Sequence, residues 1–185
     1  MRQAIMISPG KIEYNDVLAP DKLEPNEVLL KIQRIGICGS DIHVFHGEHP
    51  ATPYPVVQGH EYSATVEAVG DKVTKAKPGM KATARPQLVC GECSPCKRGQ
   101  YNACQNLKVQ GFQAPGVAQD YFIVPEDRLV VLPDSLTLEQ GAMVEPAAVG
   151  AHSTNRTTGI EGKNVVVSGA GTIGNLVAQF AKARG

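Results

Sequence analysis

The chain has 185 residues, 42% of them hydrophobic and 19% charged, with 18 Lys and Arg balancing 18 Asp and Glu. This is the make-up of a packed globular protein and excludes a disordered one; zero net charge also removes the electrostatic basis for non-specific nucleic-acid binding. The 19 glycines and 13 prolines predict many turns and a sheet-rich body.

At the N-terminus the apolar stretch after Arg2 is ended by Pro9, short of the ~7–15 residues of a signal-peptide core. The longest uncharged run, 165–181, contains Ser168, Gly169, Gly171, Thr172, Gly174, Asn175 and Gln179 and falls short of the ~20 apolar residues of a membrane span. The expectation is a cytoplasmic protein with neither a membrane nor a nucleic acid as partner.

In chain order, candidate strands fall at 3–7, 28–35, 62–68, 117–124 and 129–132, separated by Pro-, Gly- and Asp-rich breaks. In the third, Tyr62, Ala64, Val66 and Ala68 alternate with Ser63, Thr65 and Glu67, the pattern of a half-buried strand. Together these predict a compact β domain. After Pro133, Ser135 followed by Glu139 is a helix-opening pattern, with helix expected to run through Ala142 to His152 as a domain connector. Val165, Val166 and Val167 then read as a short apolar strand leading into Gly169-Ala-Gly171-Thr172-Ile173-Gly174. Beyond it Ile173, Leu176, Val177, Phe180 and Ala181 share one helical face. One strand and one helix cannot complete a parallel sheet, so the chain is expected to be part of a longer protein.

Five cysteines divide as four plus one. Cys90, Cys93, Cys96 and Cys104 crowd into one loop whose bends come from Gly91, Pro95 and Gly99. Four thiolates around Zn²⁺ form a closed tetrahedral site with no position for substrate, so its task is structural. A disulfide pair and a nucleic-acid zinc ribbon are the competing readings; the absence of an export signal and the zero net charge weigh against them.

The fifth, Cys38, stands in Cys38-Gly-Ser40-Asp41-Ile-His43 at the end of a strand pattern, and Gly59-His60-Glu61 opens the next. Cys38, His60 and a carboxylate could hold a zinc with one position open, the requirement for a catalytic ion. Taken singly, a lone Cys is ordinarily a small buried hydrophobe and a lone His a hydrogen-bonded structural residue. Asp41 reads either as orienting this loop or as a turn residue. His46 and His49 are expected to face solvent or line a pocket.

Gly169, Gly171 and Gly174 form a Gly-x-Gly-x-x-Gly between a strand and an amphipathic helix, the setting in which such a turn admits a pyrophosphate at a helix N-terminus. The residue that separates NAD from NADP lies ~20 positions further on, outside the chain.

The order of these motifs, with Glu145-Pro146 between the cysteine loop and the glycine turn, resembles the zinc-dependent medium-chain alcohol dehydrogenases. It is most similar to the sorbitol or iditol (polyol) branch, with threonine dehydrogenases close by. The resemblance implies a mainly β GroES-like catalytic domain over 1–152 and the first β-α unit of a Rossmann α/β domain over 153–185. It implies two zinc ions: a structural one on Cys90, Cys93, Cys96 and Cys104, and a catalytic one on Cys38, His60 and either Glu61 or Glu145. NAD or NADP is expected at Gly169, Gly171, Thr172, Ile173 and Gly174. Ser40 would receive the substrate proton and His43, with the ~6.5 pKa usual for imidazole, would pass it towards solvent. Two departures stand out: Glu145 is near where a second Cys ligand is expected, and Ala64 replaces a usual Gly.

The implied activity is oxidation of a small secondary alcohol or polyol to a ketone, by a longer homo-oligomeric protein, with this chain alone binding zinc but inactive. A threonine dehydrogenase-like activity and a non-catalytic zinc-stabilised binding module are the alternatives.

Overall fold

The computed structural model describes residues 1–185. Contacts divide them into two compact units, Met1–Ala142 and Met143–Gly185. His152 falls in the second of these units, where its helix packs against the C-terminal helix.

In the first unit β1 (Arg2–Ser8) and β2 (Lys11–Asp16) form an antiparallel hairpin. Then come β3 (Glu27–Ile35), α1 (Gly39–Phe45), β4 (Tyr62–Val69), β5 (Lys81–Ala84) and β6 (Gln87–Leu88). The cysteine loop follows with α2 (Ser94–Lys97) and a single 3₁₀ turn at Tyr101–Ala103. The unit ends with β7 (Lys108–Val109), β8 (Tyr121–Pro125), β9 (Leu129–Val131) and α3 (Leu138–Ala142). Five strands make one antiparallel sheet in the order β8-β3-β4-β5-β9, and β6 pairs β7 across the base of the cysteine loop.

The alternation read from the sequence builds the core. Val28 and Leu30 of β3, Tyr62, Ala64 and Val66 of β4, and Ala82 and Ala84 of β5 project to one face and are fully buried with Val117 and Val124. Each such Val or Leu contributes about 1.5–3 kcal/mol by leaving water. The opposite face of β4 is not uniformly wet as its pattern suggested. Ser63 is fully buried and donates its hydroxyl to the Leu138 carbonyl oxygen at 2.6 Å, because α3 covers the start of that strand.

Three expectations are corrected. Helix does not run unbroken from Ser135 to His152: the hydroxyl that opens α3 is Thr137, which exchanges hydrogen bonds with Gln140. The helix then breaks before α4 (Val144–Asn155), since Pro146 has no N–H and its ring would strike the Ala142 carbonyl in a continuous helix. The segment 117–124 pairs as a strand only from Tyr121.

The second unit consists of α4 and α5 (Thr172–Ala183), tied by Arg184, which donates to the Thr154 carbonyl at 2.8 Å. Val165, Val166 and Val167 form no strand, and Val166 is 94% exposed. A strand exists only by pairing, and no other segment of these residues runs alongside it.

Candidate metal centres

The sheet itself assembles the first centre. In the β3–β4 ladder Ile35 pairs Tyr62, and the Gly36 N–H extends it by donating to the Glu61 carbonyl at 2.8 Å. The residues leaving β3 and entering β4 therefore meet at one end of the sheet. Cys38 comes from the first side, His60 and Glu61 from the second, and their ligand atoms lie within 4.8 Å of one another.

Each ligand is held from behind. Cys38 caps α1, its N–H donating to Asp41 Oδ2 at 2.9 Å while the Asp41 N–H returns to the Cys38 carbonyl at 3.0 Å. The other carboxylate oxygen of buried Asp41 is 3.6 Å from His60 Nδ1, and Gln58 Nε2 donates to the Asp41 carbonyl at 3.1 Å. Asp41 thus fixes the start of the helix that Cys38 caps and places a carboxylate near His60, which supports the orienting reading of Asp41. Phe112 packs on the His60 ring at 5.0 Å, and the half-buried His49 ring stacks on Phe112 at 4.9 Å with its Nδ1 bonded to Thr52 Oγ1. His46 is exposed at the end of α1.

Glu61 needs Gly36: a Cβ there would sit 2.6 Å from Glu61 Oε2 and 3.0 Å from its Cβ. The carboxylate occupies the space of the missing side chain.

The donor set fits a catalytic zinc. One thiolate, one imidazole and one carboxylate offset a dication, and three protein ligands leave the fourth tetrahedral position open. His60 Nδ1 is buried without a hydrogen-bond partner, since 3.6 Å is too long for one. Burial pulls the His60 imidazolium pKa down, but Asp41 and Cys38 outweigh it and hold it up to about 10. The surroundings are built for positive charge, and a metal supplies it without a proton. Glu145 lies in the first turn of α4, in the second unit.

At the second centre the Sγ atoms of Cys90, Cys93, Cys96 and Cys104 also fall within 4.8 Å of one another. Cys90 and Cys104 sulfurs are 3.6 Å apart. That is far beyond the ~2.05 Å of a disulfide and close to the ~3.8 Å edge of a tetrahedron with ~2.3 Å zinc–sulfur bonds. Backbone N–H groups of Gln105 and Cys96 hold the Cys93 thiol down to about 6, whereas burial pushes Cys96 up to about 12. A cation bound there would favour the thiolate form of all four.

Ser40 and His43 stand three residues apart on α1, hence on one helical face. In the second unit α5 opens at Thr172 with Gly171 as an N-cap that makes no side-chain hydrogen bond. A Cβ on Gly171 would meet nothing within 4 Å, whereas one on Gly174 would overlap the Gly169 carbonyl oxygen. The first position offers close backbone approach and the last permits tight packing, the two demands of a pyrophosphate turn. Thr172, Ile173 and Gly174 form the first helical turn, whose N–H groups have no intrahelical acceptor.

Sequence reasoning missed Gly36, Phe112 and the double role of Asp41. For Asp41 the Cys38-x-x-Asp41 capping spacing was a readable signal; for Phe112 there was none.

A β body with one open mixed-donor cluster and one closed four-cysteine lobe carries donor sets that fit two zinc ions. The chain belongs to the alcohol dehydrogenase GroES-like domain family, whose model matches residues 24–134. It is 38% identical over 181 residues to D-xylulose reductase A of Aspergillus niger, covering 95% of this chain and 50% of that protein. Among solved structures, galactitol-1-phosphate dehydrogenase from Escherichia coli superposes with a TM-score of 0.91 at 34% identity, covering 100% of this chain and 53% of that one. A short chain alcohol dehydrogenase (rspB) from E. coli CFT073, complexed with NADH, gives 0.86 at 33% identity, covering 98% and 53%. The chain spans about half the length of the curated relatives it matches. No helix is long and apolar enough to cross a membrane.

Proposed function

We propose that this chain is the metal-binding part of a zinc-dependent, NAD(P)-linked dehydrogenase that oxidises a small polyol or other secondary alcohol to a ketone. The observation that carries the reading is the open Cys38, His60 and Glu61 centre with Ser40 and His43 on the adjoining helix. When bound, zinc on those three ligands would supply Lewis acidity towards a hydroxyl oxygen, and a dinucleotide held at Gly169, Gly171, Thr172, Ile173 and Gly174 would accept hydride.

The chain's own residues handle the rest. Ser40 Oγ is a donor and acceptor on the helix that Cys38 caps, suited to take the substrate's proton. His43, one turn further and 64% exposed, delivers it to water. Asp41 and Phe112 keep His60 in place while this occurs. Relatives whose names specify a pentulose or a hexitol phosphate support a polyol as the substrate class. The longer protein is a homo-oligomer in this reading.

The test is a screen of the full-length protein, zinc-loaded, with linear polyols and their phosphates and with NAD and NADP. Oxidation that disappears in Cys38→Ser is expected; no dinucleotide reduction with any of these alcohols would overturn the proposal.

A further inference from the structure

We propose that Glu48 is a positioning residue for His43, fixing its tautomer for proton transfer; this rests on the dehydrogenase reading above. The pair is a product of how α1 ends. His46 is its C-cap, and Gly47 follows with φ +75, a left-handed conformation. The Gly47 N–H donates to the Val44 carbonyl at 3.0 Å and the Glu48 N–H to the His43 carbonyl at 2.8 Å. These are the two bonds of a Schellman motif, which brings the residue after the glycine back over the last turn.

Neighbouring chain locks this cap. A Cβ on Gly47 would lie 2.9 Å from the Pro9 ring, so the turn is seated against the β1–β2 hairpin. The Gly10 N–H also donates to the Phe45 carbonyl at 2.7 Å. In a Schellman motif the two side chains brought together usually make an apolar contact. Here they are His43 and Glu48, with Nδ1 and Oε2 3.0 Å apart.

A carboxylate accepts and cannot donate, so a neutral imidazole facing it carries its proton on Nδ1. Nε2 is then the basic nitrogen, on a ring one helical turn from Ser40. Without Glu48 the ring is free to rotate and to exchange tautomers, and only a fraction of molecules present a basic Nε2. Both side chains are 64% exposed, so solvent competes and the effect is modest, about two- to fivefold.

The experiment compares ¹⁵N imidazole spectra of wild type, Glu48→Ala and Glu48→Gln at pH ~8, where an ordinary imidazole is neutral. Wild-type His43 is expected as the Nδ1–H form. The Ala variant loses that preference, and Gln, whose carbonyl still accepts, restores it. In the zinc-loaded full-length protein Glu48→Ala lowers kcat about two- to fivefold with KM unchanged, and Gln recovers most of the loss. An Nε2–H tautomer in wild type, or spectra unchanged in Ala, overturns the pairing. A tautomer shift with unaltered kcat overturns the positioning role. A wild-type protein with no dehydrogenase activity overturns the proposed function instead, and this role with it, while the spectra still report on the pair.

Discussion

Replacing Gly36 by Ala puts a methyl group where the Glu61 carboxylate now lies. The new Cβ starts 2.6 Å from Oε2, and an ordinary carbon–oxygen contact is ~3.4 Å, so the oxygen must retreat by about 0.8 Å. Glu61 has little room to comply through its backbone, because its carbonyl is fixed by the Gly36 N–H and the 3.0 Å approach to its own Cβ tightens as well. Metal ligands need placement within ~0.5 Å, so the displacement removes an effective ligand. The expected loss of zinc affinity at this centre is about 10–100-fold, or about 1.4–2.8 kcal/mol. Chelator competition on the chain measures it, with the four-cysteine ion in the same molecule as internal control. Unchanged affinity at the weaker centre would show that Glu61 is not a ligand and that the reasoning from Gly36 is wrong.

Cys96→Ser removes a buried thiolate from the closed centre. It should cost more than the ~10–100-fold typical of an outer-shell partner, with amide exchange accelerated over residues 90–104 and not in β3 or β4. Gly174→Ala forces a Cβ onto the Gly169 carbonyl and should destabilise the second unit by roughly 1–3 kcal/mol, seen as faster amide exchange in α5. Glu126 accepts N–H bonds from Lys75 at 2.5 Å and Thr74 at 2.6 Å, which hold its carboxyl below the usual range. A depressed carboxyl stabilises the fold above its unfolded pKa of ~4.3, and that stability disappears as pH falls through the lower folded value. Urea midpoints should therefore fall less steeply between pH ~5 and ~3 in Glu126→Gln than in wild type.

The parts of this structure visible in the sequence are those governed by local pattern. Alternation in β4 announced its buried face, and the crowding of Cys90 through Cys104 announced the lobe. Where a third party decides, the pattern was silent. Ser63 looked solvent-facing until α3 was known to cover it. Pro146 carried the break between α3 and α4, but the hydroxyl-and-acid opening before it reads as the start of a single helix. β5 has only Thr83 with strand preference beside Lys81, Ala82 and Ala84, and exists through its neighbours β4 and β9. The third ligand could not be chosen from spacing, because Glu61 and Glu145 are both plausible in one dimension. The antiparallel register at Ile35 and Tyr62 brings Glu61 beside Cys38, a proximity that no one-dimensional spacing announces. The strand expected from Val165 to Val167 shows the converse, a sequence with strand character and nothing to pair with.

Zinc content by native mass spectrometry tests the two-centre account most directly. Two ions are expected in the wild-type chain, one in His60→Ala and one in Cys96→Ser, each variant keeping the ion of the other centre. A single ion in wild type that survives in His60→Ala would contradict it.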